Sequence, residues 1–409
     1  ESIPDQPLSG RAEVRGNTVN DERTGMFRLD GVSGNWVLHV DGLVRDTDDY
    51  DIPGVAILHD HEEGEEHEEE PQPKGTLPNS SVSTKAGAVG ATYLGDRGYF
   101  GLAASTYRSN YGIPPGAHAH GGEEEGHEGE EEDVVRIDLR QDRFEARGGF
   151  RDVGAFVEMN WRVQRSLYEH TELEGEEVGT VFNNTGTEAR LEAVQREING
   201  WRGAFGLQMS HRDFEAIGEE AFVPPSITRD LGVFALQEKD FGQFKLELGA
   251  RHERVSVSPA TGADADRNAT SLAVGGLWRF SEAAHLSLNL NRAERAPSAE
   301  ELFSDGAHVA TQSYELGDAA LDTEVALGAE LGLHLHHGRF DGKLALYRTA
   351  FDDFIYLADT GLEQDGLPLR AWTQADATFT GWEAELDVEL ADNASGLWSL
   401  RLFADAVDA

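Results

Sequence analysis

The residues best equipped for chemistry sit in two short runs that carry almost nothing apolar. Residues 118–133 read HAHGGEEEGHEGEEED and hold His118, His120 and His127 among carboxylates. Residues 59–70 read HDHEEGEEHEEE, a near-copy with His59, His61 and His67. Imidazole and carboxylate are the nitrogen and oxygen ligands that zinc and its first-row neighbours take. In an extended chain residues two apart share a face. His59 with His61, and His118 with His120, can therefore each chelate one ion, while His67 or His127 folds back as a third ligand. One such run reads as an acidic low-complexity loop; two matched runs point to capture of divalent metal, because His-rich tracts are a metal-binding composition. Segments this polar cannot offset their own ordering entropy, so they are expected as solvated loops that bind weakly and reversibly. The imidazoles must be neutral to bind, so affinity should drop as pH falls through about 6.5.

A site that selects and holds one ion needs shorter, better-supported segments. Residues 168–175, YEHTELEG, put His170, Glu172 and Glu174 at alternate positions, with Leu173 as an apolar fastener. Residues 298–309, SAEELFSDGAHV, put His308 after Gly306, which permits a tight turn, with Leu302 and Phe303 as anchors. Two of the first group plus His308 could supply three ligands of a tetrahedral zinc site. The competing reading is that His308 only caps its loop by hydrogen bonding.

The rest of the chain must hold these segments up. It has 409 residues, no cysteine, and 76 acidic against 34 basic side chains, for a formal net charge of −42. That charge repels phosphate backbones, so no nucleic-acid partner is expected; it concentrates cations instead. The absence of cysteine excludes disulfides and thiolate metal sites and fits an exported chain. No GxSxG, HExxH or glycine-rich phosphate loop occurs in strand-to-helix context, so no catalytic residue, enzyme activity or cofactor is expected. No apolar run approaches the roughly 18 residues of a membrane helix.

From Leu8 onward the chain alternates with period two. Leu286, Leu288 and Leu290 alternate with Ser287, Asn289 and Asn291, and Leu331, Leu333 and Leu335 with Gly332, His334 and His336. These are strands with one apolar and one polar face. Phe244, Leu246 and Leu248 are expected to face lipid, and Lys245 and Glu247 the lumen. Short turns such as 95–98, 199–200 and 239–242 alternate with polar segments at roughly 48–81, 109–133, 166–188, 214–229, 256–269, 293–322 and 353–376. Roughly seventeen strands of about ten residues, with short turns at one end and long loops at the other, form the pattern of an all-β, antiparallel, up-and-down transmembrane barrel. A soluble β-sandwich would not need every second connection to be long. Both histidine runs, the 168–174 segment and His308 then share one rim. The strand histidines His39, His252, His334 and His336 read as residues a polar lumen accepts without any ligand role.

Residues 295–303, RAPSAEELF, fit an R-x-P-x-x-x-E-L-F pattern, and in this the chain resembles TonB-dependent outer-membrane receptors. ERTGMFRLDG at 22–31, YEHTELEGEEVGTVF at 168–182, GEEAFVPPSITRDLGVF at 218–234, GAHVAT at 306–311 and FDDFIYLADTG at 351–361, with the histidine runs, look like the ZnuD-like zinc-uptake branch. The resemblance implies a Gram-negative outer-membrane protein in contact with lipid, with zinc as transported ligand. Metal would be caught at the outer rim and passed to a tighter site between barrel loops and plug. The TonB–ExbB–ExbD complex would release it by acting on the plug. The family barrel has about 22 strands around a plugged lumen. Here Glu1–Pro7 leads straight into the first strand, so residues 1–409 are expected to be a partial barrel: no plug, about 17 of 22 strands, histidine-bearing loops at 48–81 and 109–133, and an open seam between Leu8–Thr18 and the last strand. Haem, nickel, copper or a metal chelate are alternative cargoes, since such ligands hold Cu(II) or Ni(II) at least as well as Zn(II). A non-transporting surface barrel, an adhesin or phage receptor, is a third reading.

Overall fold

The structure is a computed structural model that describes residues 6–56, 74–114, 135–175, 177–218, 221–308, 311 and 313–409. Period-two alternation drives nearly all of it into strands. The wall opens with β1 (Leu8–Gly16), β2 (Arg23–Ser33) and β3 (Trp36–Asp46), followed by a small hairpin of β4 (Tyr50–Val55) and β5 (Lys74–Leu77). It continues through β6 (Val82–Gly95), β7 (Gly98–Gly112), β8 (Val135–Val153), β9 (Phe156–Glu174) and β10 (Glu177–Gln195). Next come β11 (Trp201–Gly218), β12 (Ser226–Asp240), β13 (Phe244–Pro259), β14 (Ala265–Ser281) and β15 (Ala284–Arg295). A connection holding helix α1 (Ala299–Phe303), β16 (Asp305–His308) and β17 (Ser313–Leu316) leads to β18 (Glu324–His337), β19 (Phe340–Gln364), β20 (Leu367–Asn393) and β21 (Gly396–Asp408).

Of these 21 described strands, all but β4, β5, β16 and β17 belong to the wall, which leaves the seventeen the sequence predicts. Each wall strand pairs antiparallel with its wall neighbour in chain order, and β15 joins β18 directly. Among the described residues β1 pairs only with β2 and β21 only with β20, so the expected seam is open.

The two faces sort as the alternation requires. Phe244 and Leu248 are 53% and 38% exposed, whereas the Lys245 ammonium, on the other face, lies 2.7 Å from Glu238 and 2.6 Å from Glu247. Leu207, Met209, Leu231 and Val233 are likewise exposed on the outer face. Beside the short turns, Trp36 packs on Tyr93 and Phe244 stacks on Trp278, rings that suit a membrane–water boundary. Gly154 and Gly338 turn the chain there with φ of 59° and 60°, where a side chain would be strained.

Strand length departs from expectation. The segments 166–188 and 353–376 are not loops: β9 and β10 each run 19 residues, with a turn at Gly175, and β19 and β20 run 25 and 27 residues to a turn at 365–366. Above the lipid both faces of a ribbon meet water, so the period-two signal fades although the hydrogen-bond ladder continues.

Candidate metal-collecting rim

The two histidine-rich runs lie within residues 57–73 and 115–134, so His59, His61, His67, His118, His120 and His127 are outside the described residues. Their attachment points are described, and they are tied together. Past the end of β5, the Asp49 carboxylate accepts the backbone N–H of Asn79, Ser80 and Ser81 at 3.2, 2.8 and 2.8 Å. This turns Asn79, with φ of 56°, toward the neighbouring connection. The Asn79 carboxamide donates to the carbonyls of Ile113 and Val135 at 2.8 and 2.7 Å, the two residues that flank the second run. Its own oxygen accepts from Arg136, which also grips Asn110 at 2.7 Å. Position 112 must be glycine, because a Cβ there would collide with the Asn79 carboxamide. One hydrogen-bonded clamp therefore joins the foot of the β4–β5 connection to Ile113 and Val135 beside the second run.

Further round the rim, His170 and Glu172 share the inner face of β9. The His170 ring lies flat on Phe182, its cross-strand partner, at 4.5 Å and 14°. Its Nε2 is 3.9 Å from Glu172, and its buried Nδ1 has no hydrogen-bond partner. Glu172 is only 8% exposed. The Glu174 side chain is outside the described residues.

His308 ends β16 and stacks on Phe222 at 4.3 Å, while its Nδ1 is 2.8 Å from the Glu315 carboxylate on β17. Thr311 donates to the same carboxylate at 3.1 Å. Burial pushes the Glu315 carboxyl up, but the hydrogen bond and charge of His308, with Thr311 and Arg370, hold it below its ordinary value. Gly306 lies within β16 and makes no turn. It lets Phe222 approach, since a Cβ there would stand 3.1 Å from Phe222 Cα. Phe182, Phe214 and Phe222 form one buried cluster, so His170 and His308 stack on separate members of a single apolar block. Among the described residues no three His, Asp or Glu side chains stand together as a metal site. The structure joins His170 to Glu172 and His308 to Glu315. Glu315 was missed in the sequence because no spacing rule pairs position 308 with 315.

The RAPSAEELF element supports this part of the rim. Ser298 caps α1 and Glu301 reaches back to the Ser298 N–H at 2.7 Å, a reciprocal capping box. Arg295 holds Glu301 at 2.9 Å and Glu324 at 3.2 Å, and Glu324 accepts the Ile355 N–H at 2.9 Å. Arg212 of β11 meets Glu300 at 3.0 Å; burial pushes the Glu300 carboxyl up, and the Arg212 charge brings it below its usual value. Leu302, as expected, anchors the helix at 2% exposure, against Val257, Ala265 and Ile355. Beyond the helix, β17 pairs parallel with the upper part of β20.

Residues 72–408 match the family model described as TonB dependent receptor-like, beta-barrel. The chain is similar in fold to the FrpB iron transporter of Neisseria meningitidis (14% identity, TM-score 0.70, 98% of this chain and 60% of that one). The copper transporter OprC is matched at 15% identity and a TM-score of 0.72, over 97% of this chain and 60% of that one. The hemophore receptor HasR of Serratia marcescens, solved with its hemophore HasA and heme, gives 14% and 0.73, over 94% and 62%. The chain thus spans about three fifths of the length of these structures.

Proposed function

The chain belongs to the TonB-dependent receptor β-barrel family, whose members stand in the outer membrane of Gram-negative bacteria, and we propose that its receptor imports zinc into the periplasm. The observation that carries this reading is the Asn79 clamp, which ties the foot of the β4–β5 connection, where the sequence holds the first run, to Ile113 and Val135, which flank the second. Adjacent weak chelators raise the effective concentration of ligand for an ion that one of them has caught. The net charge of −42 adds a long-range pull on cations. His170 with Glu172, through the ring Nε2, and His308 with Glu315 are two-donor stations further round the rim. Zinc is cargo on this reading and no resident cofactor is required. Energy reaches the receptor through TonB–ExbB–ExbD.

Copper is the second reading, favoured by the same histidines, which hold Cu(II) at least as well as Zn(II), and by the fold shared with a copper transporter. Growth of a strain lacking the intact gene under zinc, copper, nickel and haem limitation in turn separates the cargoes. A defect confined to zinc limitation supports the proposal; one confined to another cargo replaces it.

A further inference from the structure

At the end of the wall opposite the collecting rim, two histidines meet one aspartate and a third histidine packs beside them. His334 and His336 sit two apart near the end of β18, just ahead of the turn at 338–339. Across the sheet, His334 is paired with His285 of β15, and His336 with Asp341 of β19. They share the face of Glu330, which accepts from Asn289 at 3.2 Å, while Leu331 and Leu335 point the other way at 40% and 46% exposure. The cluster therefore lines the lumen. One carboxylate gathers two ring edges: Asp341 lies 3.1 Å from His334 Nε2 and 3.0 Å from His336 Nδ1. The His285 ring stands edge-on to His334 at 4.8 Å.

We propose that His334, His336 and Asp341 form a divalent-cation site at the short-turn end of the lumen, with His285 as a reserve fourth donor. The inference rests on the import reading for its purpose, as a station near the exit, but not for its chemistry. Two histidines two apart on a strand, with a carboxylate opposite one of them, place three donors on one face at about 5–7 Å between Cβ atoms. That spacing lets their tips converge on an ion at the ~2.1 Å bonds zinc requires. No three donors among the described residues hold coordinating positions as they stand; Asp341 is hydrogen-bonded to both rings, in the gap between them. On binding, the ion takes that gap, one carboxylate oxygen and two ring nitrogens become ligands, and each ring moves its proton to its other nitrogen or releases it. The side chains of His334, His336 and Asp341 are 31%, 67% and 33% exposed, so an ion has access. Lys343 faces His334 across the sheet but turns its ammonium to Glu385 at 3.1 Å. Glu383 and Asp405 line the same hollow, which keeps its charge negative.

The test uses the intact purified receptor with the six run histidines replaced by alanine, titrated with Co2+ by visible absorption and back-titrated with Zn2+. In this background His334→Ala/His336→Ala should lose one Co2+ equivalent, and Asp341→Asn, which keeps the side-chain shape, should bind that equivalent at least about tenfold more weakly. Unchanged stoichiometry and affinity in both variants overturn the site, and a lowered melting temperature beside unchanged Co2+ binding identifies the cluster as a tether between β18 and β19. Because the readout is metal on purified protein, its failure stays separate from a failure of zinc-limited growth.

Discussion

Two connections on the same rim are fastened in opposite ways. The connection from β15 to β18 folds onto the wall, with an apolar helix face, stacked rings and ion pairs that use Arg295, Arg212 and Glu315. Among the described residues, the connections that carry the histidine runs are fastened at their feet by the Asn79–Asp49–Arg136 hydrogen bonds. Apolar burial and paired charge hold the first against the wall. A polar clamp holds the bases of the second together.

The contrast can be broken from either side. The largest effect should come from Phe222→Ala: removing a ring at 8% exposure that carries His308 costs about 3 kcal/mol. Hydrogen exchange at the β16–β17 amides should accelerate, with β4–β5 unaffected. Arg295→Ala leaves Glu301 and Glu324 without their cation; because Arg295 is 44% exposed, the loss should be about 2 kcal/mol, below the roughly 3–5 of a fully buried pair. Limited proteolysis between 296 and 323 reads it out.

Asn79→Gly keeps the left-handed backbone but orphans the Ile113 carbonyl and takes from Val135 one of its two donors, the Ile113 N–H remaining, at about 1–2 kcal/mol. Zinc titrated by calorimetry into the intact receptor should then show the same number of ions bound more weakly. Equal affinity would sever the clamp from metal capture. Ser298→Ala should cost about 1 kcal/mol at the α1 cap, measured as a small drop in melting temperature. The Glu315 carboxyl is held below its ordinary value, so its contribution is complete above the usual carboxylate range and lost as pH falls through its lower folded value. Exchange protection of β17 should therefore decline in acid below about pH 4.5, and Glu315→Gln should flatten that decline.

The number of wall strands and their lipid and lumen faces could be read from the sequence, because period two and alternating connection lengths are local signals; His252 is the exception, expected in the lumen but paired with Val233 on the outer face. The Leu302 anchor was equally visible. What escaped depends on contacts far apart in the chain: Asn79 meeting Val135, His308 meeting Glu315 through a two-stranded turn, and Phe222 filling the space Gly306 leaves open. The reach of β19 and β20 escaped for another reason, since ribbons above the membrane have two wet faces and carry no alternation to read. His334 and His336 were visible as polar lumen positions, but their cross-strand neighbours His285 and Asp341 are fixed by register alone.

The most direct test of the account is uptake of radioactive zinc by energised, zinc-starved cells carrying the intact receptor. Replacing all six run histidines by alanine should raise the zinc concentration needed for half-maximal uptake and leave the maximal rate unchanged, and a protonophore should abolish uptake in both. Uptake that is indifferent to the six replacements, or that persists when the receptor is deleted, would contradict a rim built to collect zinc.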